Sequence, residues 1–176
     1  MAKRQVANDV AETREQGLSR VTSKYVRLSS DLISHSHPGR LLIVEQKVIV
    51  ENDVKVFAEL SGDFNPIHFS DEFAKSLPKM KLTQRIVHGV HSVALISGLI
   101  GMQFPEGTQV VNGAISWLRP LYVNKPFIIY VWLEKGGILR YSLGVGICHY
   151  NDEVNEKPSL VAGFTVLIPK PKLSTV

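Results

Sequence analysis

Residues 89 to 102, Gly-Val-His-Ser-Val-Ala-Leu-Ile-Ser-Gly-Leu-Ile-Gly-Met, are apolar on nearly every side of a helix. A helix of that character needs other structure around it, so it belongs in the middle of a protein. The apolar run from Val93 to Phe104 is too short to cross a bilayer. Three or four strands follow, with candidates at about Gln109 to Leu118, Phe127 to Lys135, Ile138 to Tyr150 and Ser159 to Pro169. Arg119-Pro120, Gly136-Gly137 and the polar run Asn151 to Pro158 separate them, and Gly136-Gly137 is a hairpin signal. A further strand is expected from Arg40 to Val50. Two short helices lie between that strand and the apolar helix. Asn52 is expected to cap the first, with Val56, Phe57 and Leu60 on its buried face. Ser70 caps the second, and Asp71 and Glu72 in its first turn suit the helix dipole. Short helices followed by long strands predict an α+β fold, an antiparallel sheet wrapped around one buried helix.

The bulk properties bound the possibilities. A chain of 176 residues makes one domain, here expected at 39–176, with residues 1–38 as an N-terminal extension. Hydrophobic residues make up 44% and charged residues 20%, which excludes a disordered chain. The net charge of +4 comes from scattered lysines and arginines, so a nucleic-acid partner is not expected, while phosphate-bearing ligands are tolerated. The single cysteine, Cys148, excludes an internal disulfide and suggests a reducing compartment; its apolar strand marks it as a buried thiol. Residues 1–38 carry Arg4, Arg14, Arg20 and Arg27 among serines and threonines, resembling a mitochondrial presequence. Asp9, Glu12 and Glu15 speak for a surface helix instead, so a mitochondrial and a cytoplasmic location both stay open.

The chemistry is concentrated in Ser61-Gly62-Asp63-Phe64-Asn65-Pro66-Ile67-His68. A carboxylate and an imidazole stand five positions apart. Pro66 between them has no N–H and turns Asn65 away from helical geometry. Gly62 permits backbone conformations that other residues avoid. Such a rigid turn can aim Asp63 and His68 at one water or one C–H proton. Alone, Asp63 would serve as a turn former and His68 as a structural histidine; the fixed turn between them favours catalysis. Gly89 opens the apolar helix, where free backbone N–H groups and the helix dipole suit an anion.

The run Phe57 to Ser70, with its Ser-Gly-Asp-x-Asn-Pro-aliphatic-His core, resembles the signature of the MaoC-like dehydratases, or type 2 enoyl-CoA hydratases. Arg85-Ile86-Val87-His88-Gly89-Val90 agrees with the start of that family's central helix, and the likeness covers roughly residues 40 to 170. The resemblance implies the hot-dog fold, a homodimer with each acyl tunnel lined from both chains, and reversible hydration of 2-enoyl thioesters to (R)-3-hydroxyacyl thioesters. It also implies that Asp63 and His68 are catalytic and that the Gly89 amide meets the thioester carbonyl. No separate cofactor is implied, since the substrate carries its own phosphopantetheine as CoA or acyl carrier protein. An acyl-binding subunit without activity and a thioesterase are the alternatives.

Other residues take lesser expectations. Asn65 orients the turn or the pair and is placed with the substrate-binding residues. Ser97, two helical turns after Gly89, either touches the thioester or packs the helix. His88 is expected to bond the backbone near the helix start, and His91 to occupy core or interface. His35 and His37 lack carboxylates or cysteines at ligand spacing, so no metal site is expected. Arg119, Lys125, Lys135 and Arg140 are candidates for phosphate contacts, with a solvated surface as the default.

Overall fold

The computed structural model describes residues 28–29, 32–33, 35–137, 139–150 and 158–169. In chain order these form β1 (Leu41–Lys47), α1 (Glu51–Ser61), a 3-10 turn (Pro66–His68), α2 (Asp71–Lys75) and α3 (Gly89–Gln103). The remaining strands are β2 (Gln109–Trp117), β3 (Phe127–Lys135), β4 (Arg140–His149) and β5 (Leu160–Leu167). The five strands make one antiparallel sheet in the order β1-β3-β4-β5-β2. Much of the expected presequence, residues 1–27, lies outside the described residues. Ile33 nevertheless belongs to the core, and the Leu28 amide bonds the Gln103 carbonyl at the end of α3.

Alternation sorts the sheet into two faces. Phe127, Ile129, Val131 and Leu133 of β3 join Leu143, Val145 and Ile147 of β4 and Ala162, Phe164 and Val166 of β5 in one cluster. Ile96, Leu99 and Ile100 of α3 fill the hollow of that face. The other face is smaller, with Trp132 and Tyr130 stacked 5.7 Å apart over Gly144 and Gly146 of the next strand. Cys148 is buried, as its surroundings predicted.

Two expectations are corrected. α1 begins two residues earlier than the Asn52 cap implied, with Val50 at the cap, because the Asp53 carboxylate accepts the Val50 amide at 3.0 Å. Its buried residues are Val54 and Ala58, while Val56 and Leu60 are 54% and 83% exposed. Of the three residues expected on the buried face, only Phe57 is half-buried. The sheet covers only one face of the central helix and leaves the other open. Val90, Ala94, Ser97, Gly98, Gly101 and Met102 all lie on its open side. Edge strand β2 beside it is exposed along nearly its whole length.

Candidate active site

Gly62 ends α1 in the left-handed region, at φ 78°, and donates its amide to the Ala58 carbonyl. From there short side chains hold the backbone two residues onward. The Ser61 hydroxyl accepts from the Asp63 amide at 3.3 Å, Asp63 Oδ1 from Asn65 at 3.2 Å, and Asn65 Oδ1 from Ile67 at 3.2 Å. Pro66 then starts the 3-10 turn that carries His68. Asn65 therefore orients the turn from within.

His68 is buried, and its Nδ1–H donates to the Ile86 carbonyl at 2.8 Å. That bond assigns the proton to Nδ1 and leaves the Nε2 lone pair directed at Asp63. His68 Nε2 stands 3.6 Å from Asp63 Oδ2. The gap is too long for a direct hydrogen bond and short enough for both atoms to hold one water. Burial lowers the His68 pKa below its ordinary value, and the neighbouring His88 adds to this; the Ile86 bond and the Asp63 charge oppose it only in part. His68 is thus a base at neutral pH.

Val87 fixes the entry to α3 through its bond to the Leu121 carbonyl, and His88 caps the helix. His88 is almost fully buried, donates from Nε2 to the Asp63 carbonyl at 2.9 Å, and stacks on His68 with ring centroids 3.8 Å apart. Gly89 follows as the first helical residue, whose amide has no acceptor within the helix. A Cβ at Gly89 would lie 3.0 Å from Trp117 Nε1, and the indole donates to the Gly89 carbonyl at 3.0 Å. His91 stacks on Phe57 at 4.6 Å, and burial lowers its pKa.

A cavity of about 330 Å³ opens beside these groups, lined by His68, His88, Gly89, Trp117 and Leu121 among others. Ser92 lines it as well and donates to the Gly89 carbonyl at 2.6 Å. Ser97 stands on the open side of α3 and is absent from this lining. Arg119 lines the cavity, whereas Lys125, Lys135 and Arg140 are exposed elsewhere. Two features were not legible beforehand: the Trp117 indole over Gly89 and the second histidine behind the first. Both are long-range contacts.

Asp63, His68 and His88 each bring a ligand-type atom within 4.8 Å of the others, the one such group among the described residues. The His68 and His88 rings are stacked 27° apart, with centroids at 3.8 Å. His88 Nε2 is committed to a backbone carbonyl. The geometry suits a held water better than a metal ion.

A family model described as "MaoC like domain" matches residues 33–143, well over half of the sequence. The chain belongs to the MaoC-like domain family. A 3-hydroxybutyryl-CoA dehydratase of Methylorubrum extorquens is 35% identical to this MaoC-like chain over 113 residues, 62% of the chain and 69% of that protein. The mitochondrial 3-hydroxyacyl-[acyl-carrier-protein] dehydratase of Arabidopsis thaliana is 33% identical over 80 residues, 46% of each protein. An (R)-specific enoyl-CoA hydratase of Aeromonas caviae is 38% identical over 73 residues, 41% of the chain and 52% of that protein. The alignments thus span about half the length of these last two relatives. The solved (R)-hydratase of A. caviae superimposes with a TM-score of 0.63 at 25% identity, over 72% of this chain and 93% of that one. Protein af1124 of Archaeoglobus fulgidus, at TM-score 0.66 and 21% identity, covers 92% of the MaoC-like chain and 96% of its own, and shares the fold. The architecture is the hot-dog arrangement of these neighbours.

Proposed function

We propose that this protein is a hydro-lyase, an (R)-3-hydroxyacyl-thioester dehydratase and 2-enoyl-thioester hydratase. One arrangement carries the reading. His68 Nε2 stands 3.6 Å from the Asp63 carboxylate, and His68 lines one cavity with Gly89, the first residue of α3. In hydration, the pair holds a water and takes its proton as the oxygen bonds to C3 of the enoyl group. The C2–C3 π electrons move toward the thioester, and the Gly89 amide and the helix dipole stabilise the charge on its oxygen. The proton then passes from the pair to C2, and dehydration runs the steps in reverse. Positioned acid–base groups of this kind contribute about 10² to 10⁴-fold.

The substrate is an acyl thioester of CoA or of an acyl carrier protein. The relatives include a 3-hydroxybutyryl-CoA dehydratase and a 3-hydroxyacyl-[acyl-carrier-protein] dehydratase. The working unit is a homodimer, in which a second copy covers the open side of α3 and edge strand β2. Mitochondrial placement rests on the arginines and serines of residues 1–38 and on the Arabidopsis relative. A fluorescent fusion of residues 1–38 that stays diffuse in the cytosol would return it to the cytoplasmic alternative.

Incubation with crotonyl-CoA tests the activity itself. Loss of the enoyl absorbance without free thiol supports a hydratase. Thiol release makes the protein a thioesterase, and neither change leaves an acyl-binding subunit.

A further inference from the structure

We propose that His88 is the positioning residue of this site, joining the acid–base turn to the start of the central helix so that all three reacting groups move as one body. The inference rests on the hydratase reading for its kinetic part. Its physical part stands without substrate.

His88 comes immediately before Gly89, and its ring crosses to residues 20 and 25 positions earlier in the chain. The Nε2–H bond to the Asp63 carbonyl at 2.9 Å fixes the turn's height above the helix end. The stack on His68 at 3.8 Å fixes the angle at which Nε2 of the base meets the carboxylate. Phe57 of α1 tilts against the same ring at 5.2 Å, and Phe69 meets it edge-on at 6.3 Å. Held on every side, His88 can adopt one orientation. Its Nδ1 is buried without a hydrogen-bond partner among the described residues. A purely structural histidine gains nothing from burying that atom, and a buried polar atom left unpaired carries a cost. The remaining contacts are all to the site.

Two effects separate. The donor sets the distance between the turn and the Gly89 amide, and the ring shields one face of His68 from water. The groups facing His68 are Asp63 from the turn and His88 from the helix start. Arg85, Glu51 and Lys55 share the cavity on its far side, and His91 lies behind Phe57. Of these, only His88 covers the ring itself.

Two substitutions divide the effects. His88→Phe keeps a ring on His68 and loses the donor. His88→Gln keeps a donor at similar reach and loses the ring. We expect His88→Phe to lower kcat by about 10²-fold, as a misplacement of about 1 Å does, with KM little changed and the acid limb of kcat/KM moved less than in His88→Gln. His88→Gln should restore most of that kcat and move the acid limb upward toward the ordinary histidine value of about 6.5. The His68 ring signals, followed by NMR across pH without substrate, should show the same upward shift in His88→Gln and a smaller one in His88→Phe, which loses the His88 charge but keeps the cover. That titration also separates failure of this inference from failure of the hydratase reading. Folding is checked by circular dichroism and elution volume. If either variant fails to fold, the NMR titration of the other decides. An unchanged His68 titration in folded His88→Gln, or full kcat in folded His88→Phe, overturns the proposal.

Discussion

The turn from Ser61 to His68 and the open side of α3 with β2 are built on opposite terms. In the turn, successive side chains close hydrogen bonds within the same chain, and the histidine at its end is buried and oriented by Ile86. Along the helix and edge strand, Val90, Val111, Trp117 and Leu118 are each 44% exposed or more, and the β2 ladder is paired only on its β5 side. The acid–base geometry is therefore complete in a single chain. The surface next to it is not, although Trp117 and Leu118 also line the cavity. In the proposed dimeric hydratase, reactivity and assembly would be encoded in neighbouring places by different means, local bonds in one and exposed apolar area in the other.

The sharpest way to break this contrast is within the turn. Asp63→Asn and His68→Ala should each lower hydration by at least about 10²-fold with the fold intact, measured by steady-state kinetics with crotonyl-CoA. Because both act on one water, the double variant should be little worse than the worse single. Near-normal turnover in either folded variant removes that residue from the mechanism.

Where the two regions meet, Gly89→Pro should cost roughly 2.7 to 4 kcal/mol of transition-state stabilisation, since it removes one donor yet fits a first helical turn. Gly89→Ala should be milder, because its Cβ has only to displace the Trp117 indole, 3.0 Å away. Adding Trp117→Phe should recover part of that smaller loss. Equal kcat/KM in Gly89→Pro and the wild type would put the thioester carbonyl elsewhere.

On the open face, sedimentation at micromolar protein should give a dimer, and Ala94→Arg should produce monomers of reduced activity. A fully active wild-type monomer would show that the exposed surface serves no assembly in catalysis. The smallest effect expected is on stability against pH. Burial lowers the pKa of both His68 and His91, so the unfolded chain takes up protons first as the pH falls. Stability present above about 6.5 should decline as the pH drops through that value toward the lower folded-state pKa values, seen as a falling Tm. The acid limb of kcat/KM should likewise lie below 6.5. A flat Tm between pH 7.5 and 5.5 would contradict the burial of both rings.

The sequence disclosed what depends on near neighbours. Period-two runs placed all five strands to within a few residues, and Pro66 with Gly62 announced the turn, because these features are local in origin. It did not disclose what depends on distance. Nothing in Val56 and Leu60 reveals that α1 turns them to solvent and buries Val54 and Ala58 instead. His88 was expected to bond nearby backbone, and it bonds a carbonyl 25 residues away. The Trp117 contact with Gly89 likewise depends on how β2 lies beside the helix. Ser97 shares a helix with Gly89 yet faces outward, since a helical repeat fixes relative angles and not the direction of the core.

Gly62 carries a consequence of handedness. Its φ of 78° belongs to the mirror-image half of backbone space, yet a Cβ there would meet nothing within 4 Å. The position restricts chirality, not size. An L-alanine there would have room for its methyl but be strained by its own backbone, whereas a D-alanine introduced by chemical ligation would carry no such backbone strain. By narrowing the conformations open to the unfolded chain, the D-residue should stabilise the protein by about 0.4–1 kcal/mol, on the scale of a glycine replaced without strain. The approach to Asp63 would then be held by stereochemistry where it is now held by glycine's freedom.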